Sequence, residues 1–190
     1  MKILDIPHNI RQSMISSGVW KQECPIAMDR LRLLEIEHYT FDHKIQTGQM
    51  VVLDIIAEKT IEIFDILLEK KFPINKIQLM DAYNGNDDLS MEDNNSSCFN
   101  FRKIVGTERI SIHSYGTAID INPTQNPYIV DAKIYPSTGS AFLDRDNIRP
   151  GMLESLVYLF KERGFEWGGD WTSIKDYHHF QIKLEDLGLT

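Results

Sequence analysis

An α+β fold is what this sequence predicts: a small, mainly antiparallel sheet that carries the candidate ligands and packs against helices. Three observations lead there. Asp54 to Lys71 has helical periodicity, with Ile56, Thr60, Ile63, Phe64, Leu67 and Leu68 on one face at three- and four-residue spacings. A second helical pattern starts near Pro150-Gly151 and runs to Arg163, with Leu153, Leu156, Val157 and Phe160 inward. Between and around these lie short stretches in which polar and apolar residues alternate, as half-buried strands do.

Taken in order, residues 1–48 are mixed. The segment from Ile26 to Leu34 fits a short helix or an irregular stretch, and Glu35 to Phe41 alternates like a strand. His38 and His43 read as surface or structural residues. Asp54 is placed to cap the first helix, and Phe72-Pro73 ends it, because proline disfavours helix in the residue before it. Lys76 to Tyr83 alternates and reads as a strand. Asn84 to Ser97 is a polar run expected to be a solvated loop. Its acids match a calcium loop in composition but not in ligand order. Cys98 to Arg102 returns to alternation. From Asn122-Pro123 to Gly139 the turn residues predict a long loop, long enough to wall a binding cleft. Gly164 stops the second helix.

At 190 residues the chain is long enough to bury a sizeable core. We expect one domain over 1–190, with residues 1–48 an extension packed on a core of 49–183. A 42% hydrophobic and 25% charged composition is that of a globular protein. The net charge of −8 argues against a nucleic-acid or anionic-membrane surface. No stretch approaches the length of a transmembrane helix, and the first residues lack the apolar run of a signal peptide. Cys24 and Cys98, far apart, form neither a disulfide framework nor a CxxC pair, and whether they pair with each other is not readable. Oligomeric state is not readable either.

The chemistry concentrates in two places. Ser111-Ile112-His113-Ser114-Tyr115-Gly116-Thr117-Ala118-Ile119-Asp120 sets an imidazole and a carboxylate seven residues apart around a glycine. Those are two thirds of an open zinc site, which needs a third protein ligand and keeps a fourth position for water. Near the C-terminus, Trp167-Gly168-Gly169-Asp170-Trp171 is followed by Asp176-Tyr177-His178-His179-Phe180. This segment offers a further imidazole and a carboxylate suited to act as a base. Arg102, eleven residues before His113, is either a surface residue or a guanidinium aimed at a substrate oxygen.

The two motifs in this order resemble the M15 family of zinc peptidases, the group of D-alanyl-D-alanine carboxypeptidases and L-alanyl-D-glutamate endopeptidases that cut peptidoglycan stem peptides. The likeness extends from about Asp54 to Gln181, through Ser96-Ser97-Cys98-Phe99-Asn100 and Asn126-Pro127-Tyr128. It implies that His113, Asp120 and His179 bind Zn2+, that Asp176 is the general base and that Arg102 is an oxyanion or carboxylate partner. It further implies a stem peptide or muropeptide as substrate and action on the cell wall, periplasmic or extracellular. The lack of a signal peptide fits a lysin released by lysis or an enzyme trimmed after export. Carboxypeptidase and endopeptidase activity stay open, as does a non-catalytic zinc domain that binds wall fragments. Two positions depart from the pattern. His178 stands where many relatives have Pro, and Cys98 stands where small residues are usual, which we read as packing. Neighbours on a regular strand face opposite ways, so only one of His178 and His179 is expected at the metal. The family pattern selects His179, leaving His178 to point away or to line the cleft rim.

Overall fold

A computed structural model of the chain describes residues 1–189. Strand β1 (Lys2–Asp5) leads into helix α1 (His8–Ser16). β2 (Leu31–Tyr39) and β3 (Ile45–Leu53) form a long antiparallel hairpin, in register from Leu31↔Leu53 to Tyr39↔Ile45, and β1 pairs along the outer edge of β2. β3 runs through residue 48, so hairpin and core are continuous there. Of the two readings of Ile26 to Leu34, neither helix nor irregular chain describes its second half. Only Met28–Arg30 makes a 3-10 turn, and the strand begins at Leu31.

The expected main helix is present as a 3-10 turn at Asp54–Ile56 that continues into α2 (Ala57–Glu69). It buries Thr60, Ile63, Phe64 and Leu67 against β2. Asp54 does not cap it. Its carboxylate is taken by Arg30, with Oδ2 2.6 Å from Nε.

Three short expectations differ in ways the hydrogen bonds explain. The Lys76–Tyr83 strand shrinks to β4 (Lys76–Ile77), followed by a 3-10 turn over Met80–Tyr83. The Asn95 side chain ends the ladder by accepting from Gln78 N (2.8 Å) and donating to Gln78 O (3.0 Å). The polar run after it contains α3 (Asp87–Glu92), because Asn86 Oδ1 accepts from Leu89 N (3.0 Å) and two aspartates fill the first turn. β5 (Asn95–Ser96) then pairs in parallel with β4. The stretch Cys98–Arg102 is extended but belongs to no strand. Its amides are shared among Val51, His113 and Val19 carbonyls, which lie in three different segments.

The remaining strands carry the site. β6 (Ala118–Asp120), β11 (His179–Gln181) and β9 (Glu166–Trp167) form an antiparallel sheet in the order β6-β11-β9. The expected 123–139 loop holds a hairpin of β7 (Tyr128–Val130) and β8 (Lys133–Tyr135), and β10 (Lys175–Asp176) pairs with β7. The second helix is shorter than its periodicity suggests: a 3-10 turn at Glu154–Leu156, then α4 (Val157–Lys161). Asn126 Oδ1 accepts from Leu153 N (3.1 Å), which ties the start of that segment to the loop. The expected inward residues Leu153, Leu156, Val157 and Phe160 are all buried. Cys24 and Cys98 are both free thiols.

Candidate metal centre

Strand register brings the ligand candidates together. His179 lies directly opposite Asp120 across β6 and β11, so both side chains stand on the same face. Phe180, between His179 and Gln181, turns to the other face and stacks on Phe160 with ring centroids 3.7 Å apart. His113 comes from the 3-10 turn Ile112–Tyr115, which Ser111 Oγ caps by accepting from His113 N (3.3 Å). That turn ends at Gly116, φ +68°, where a Cβ would sit 2.8 Å from Leu53 N. Its carbonyl accepts from the same amide (2.9 Å), pinning the His113 turn to the end of β3.

His113, Asp120 and His179 are 4%, 7% and 5% exposed. His113 Nε2 lies 3.2 Å from Asp120 Oδ2 and 3.3 Å from His179 Nδ1, and His179 Nδ1 lies 3.0 Å from Asp120 Oδ1. A tetrahedral ion with bonds of about 2.05 Å to nitrogen and oxygen has ligand–ligand edges of about 3.3 Å, close to the spacing of the two ring nitrogens and of each nitrogen from its nearer carboxylate oxygen.

The outer hydrogen bonds decide which ring nitrogens are free. A carbonyl only accepts, so His113 Nδ1–H donates to Cys98 O (2.7 Å), leaving Nε2 as the lone-pair atom. His179 Nε2–H donates to Gln181 Oε1 (3.0 Å), which leaves Nδ1 turned to the centre. Both imidazoles therefore present lone pairs to one carboxylate, an arrangement that calls for a cation between them. Gln181 reaches His179 because residues two apart on a strand share a face.

Electrostatics agree. Burial alone would raise the Asp120 carboxyl, but the imidazoles around it, His113 first and then His178 and His179, hold it well below the usual carboxylate range. Burial alone would lower His179. The hydrogen bond and charge of Asp120, helped by Asp176, overcome this and push it up to about 9. In the absence of metal, a proton on His179 takes the cation's place.

Asp176 ends β10 and sits against the Trp167-Gly168-Gly169 turn. A Cβ on Gly168 would lie 2.5 Å from Asp176 O, so only glycine lets that turn close on the carboxylate's backbone. Burial, the largest influence, raises the Asp176 carboxyl above the ordinary value.

His178 does not point away, and it does not line the rim. It is 3% exposed, its Nδ1–H donates to Asn126 O (2.8 Å), and its Nε2 lies 3.0 Å from Asp176 Oδ1 and 3.9 Å from Asp120 Oδ2. Strand alternation fails here because Tyr177 and His178 form the link between β10 and β11, outside either ladder. The sequence reading missed three participants: Gln181, the Cys98 carbonyl and Asn126. The period-two spacing of Gln181 from His179 was the available signal; nothing local marked the other two.

The Arg102 side chain makes no ion pair or hydrogen bond with His113, Asp120, Asp176, His178 or His179. Its guanidinium pairs with Asp87 of α3 (2.6 Å), its backbone N–H donates to Ser114 Oγ (3.0 Å), and its Nε–H is buried with no partner.

Comparison with known proteins fits this geometry. Residues 105–182, which contain all three metal-ligand candidates and Asp176, match the family model described as D-alanyl-D-alanine carboxypeptidase. The match bears out the resemblance to M15 peptidases over residues 105–182, less than half of the chain. The chain is also 35% identical over 77 residues to the peptidoglycan L-alanyl-D-glutamate endopeptidase CwlK of Bacillus subtilis (strain 168). Those residues span 38% of this chain and 39% of the relative. No solved structure gives a significant match.

Proposed function

We propose that the protein is a zinc-dependent peptidase that hydrolyses a peptide bond in peptidoglycan stem peptides, in the manner of a D-alanyl-D-alanine carboxypeptidase. The observation that carries this reading is the close approach, 3.0–3.3 Å, of the His113 and His179 ring nitrogens to each other and to the Asp120 carboxylate, with the partly buried Asp176 beside them. His113 Nε2, an Asp120 carboxylate oxygen and His179 Nδ1 would hold the ion. Zinc bound there supplies a Lewis acid that acidifies water and polarises a carbonyl.

The chain's own groups do the rest. Asp176 accepts the proton of the attacking water and delivers it to the leaving amine, and a carboxyl raised by burial is the better matched to both steps near neutral pH. The Cys98 carbonyl and Gln181 fix the ligand rings. His178, held by the Asn126 carbonyl, stands against the base. Arg102 takes a substrate carboxylate in exchange for Asp87, and its unpartnered Nε–H supports that role. The catalytic unit is assigned to residues 49–183 of one domain, acting at the cell wall, periplasmic or extracellular. No helix of the described residues is long and apolar enough to cross a membrane.

A second reading, cleavage between L-Ala and D-Glu, is favoured by the activity for which the Bacillus subtilis relative is named. Mass spectrometry of digested muropeptides separates them: loss of a terminal D-Ala supports the first, and release of the stem beyond L-Ala supports the second. A metal-loaded protein that leaves every stem-peptide bond intact would overturn both and favour a non-catalytic wall-binding domain.

A further inference from the structure

Away from the metal centre, a cleft of 670 Å³ opens between the β2–β3 turn, the end of α2 and the segment 148–156. Its walls include Tyr39, Phe41 and Phe72, with Lys70, Lys71 and Arg149 among them, and no Asp or Glu lines it. In a chain of net charge −8 this is an unusual concentration of positive charge. Among the described residues, Lys70, Lys71 and Arg149 enter no ion pair, whereas most other cations of the chain do. Lysines after α2 complement the helix's terminal carbonyls, which accounts for part of this. It does not account for Arg149, which arrives from a different segment. That guanidinium stacks 3.9 Å over the Phe142 ring and donates one N–H to the Ala141 carbonyl, so it is held in place with no acid against it.

We propose that this cleft binds a soluble phosphodiester-linked chain of polyol or sugar units. Three cations on two separate segments exceed what a single carboxylate neutralises, and they suit a polymer whose charges repeat and stay ionised. The aromatic walls suit the carbon skeleton between phosphates, and the guanidinium and ammonium groups suit the phosphate oxygens. The cleft also shares framework with the metal centre. The Gly151 carbonyl at its edge accepts from the side chains of Asn126 (2.8 Å) and Asn122 (3.3 Å), and the Asn126 carbonyl holds His178. None of the candidate metal ligands lines the cleft, so its occupancy would leave them free.

The test titrates labelled poly(glycerol phosphate) with the whole chain and follows fluorescence anisotropy at several salt concentrations. The expected result is saturable binding that weakens steadily with salt, and a loss of about tenfold or more in K70E/K71E. K21E and K133E reverse two cations that lie outside the cleft and enter no ion pair, and they should leave binding unchanged. Should K70E/K71E fail to melt cooperatively, K70Q/K71Q takes its place with the same expected direction. Equal losses from K21E/K133E, or no saturable binding at low salt, would overturn the proposal. Binding to phosphatidylglycerol vesicles without binding to the polymer would also overturn it, in favour of a lipid surface.

Discussion

In the candidate metal centre, a proton and a metal ion would compete for the same nitrogen. His179 Nδ1 faces Asp120 Oδ1 at 3.0 Å, and its pKa is pushed up from 6.5 to about 9 when no ion is present. A raised value means that the folded site holds the proton more tightly, so a metal ion binding there would have to expel it below that pH. At pH 7, two units under the pKa, about one site in a hundred has a bare nitrogen, a penalty of about 2.7 kcal/mol. Apparent zinc affinity should therefore rise about tenfold per pH unit from 7 to 9 and level off above, with about one proton released per ion at pH 7. Competition with a chromophoric chelator between pH 6.5 and 10, corrected for buffer and hydroxide complexes, measures this directly. An affinity that stays flat from pH 7 to 9 would refute the proton-for-metal exchange. The same pKa has a consequence for the metal-free protein. The stabilisation from protonated His179 is fully present below pH 6.5 and is lost as pH rises through about 9, amounting to about 3 kcal/mol.

Other perturbations test the surrounding parts. Gln181→Leu removes the acceptor that fixes His179 and should weaken zinc binding about 10- to 100-fold in the same chelator assay, with the fold retained. Gly116→Ala forces a side chain into φ +68° and against Leu53 N, costing about 2 kcal/mol or more. Its Tm should fall by about 4–8 °C in a calorimetric scan. His178→Met removes a neighbour whose charge lowers the Asp176 carboxyl, so that carboxyl should titrate higher. The acid limb of the pH–rate profile then moves to higher pH, whereas a purely structural loss would lower the rate without moving the limb.

The two motifs were legible because each is local. His113 and Asp120 sit on one turn-and-strand, and Asp176 and His179 on one short segment, so spacing offered the candidates and the family pattern chose His179, which the β6–β11 register sets opposite Asp120. Helix α2 was legible for the same reason, since its stripe repeats over four turns. The orientation of His178 was not, because it depends on two residues outside any ladder and on the Asn126 carbonyl 52 residues away. Nor was the fate of Cys98–Arg102, whose alternation mimics a strand while its amides go to three unrelated partners. α3 was hidden because a run of Asn and Asp reads as loop until Asn86 is recognised as a cap.

The most direct test pairs metal content with turnover in Asp176→Asn. The site as described predicts one zinc per chain in both wild type and variant, with stem-peptide hydrolysis in the variant reduced about 10²- to 10⁴-fold. A variant that keeps full activity, or a wild-type protein that hydrolyses muropeptides with no metal bound, would contradict it.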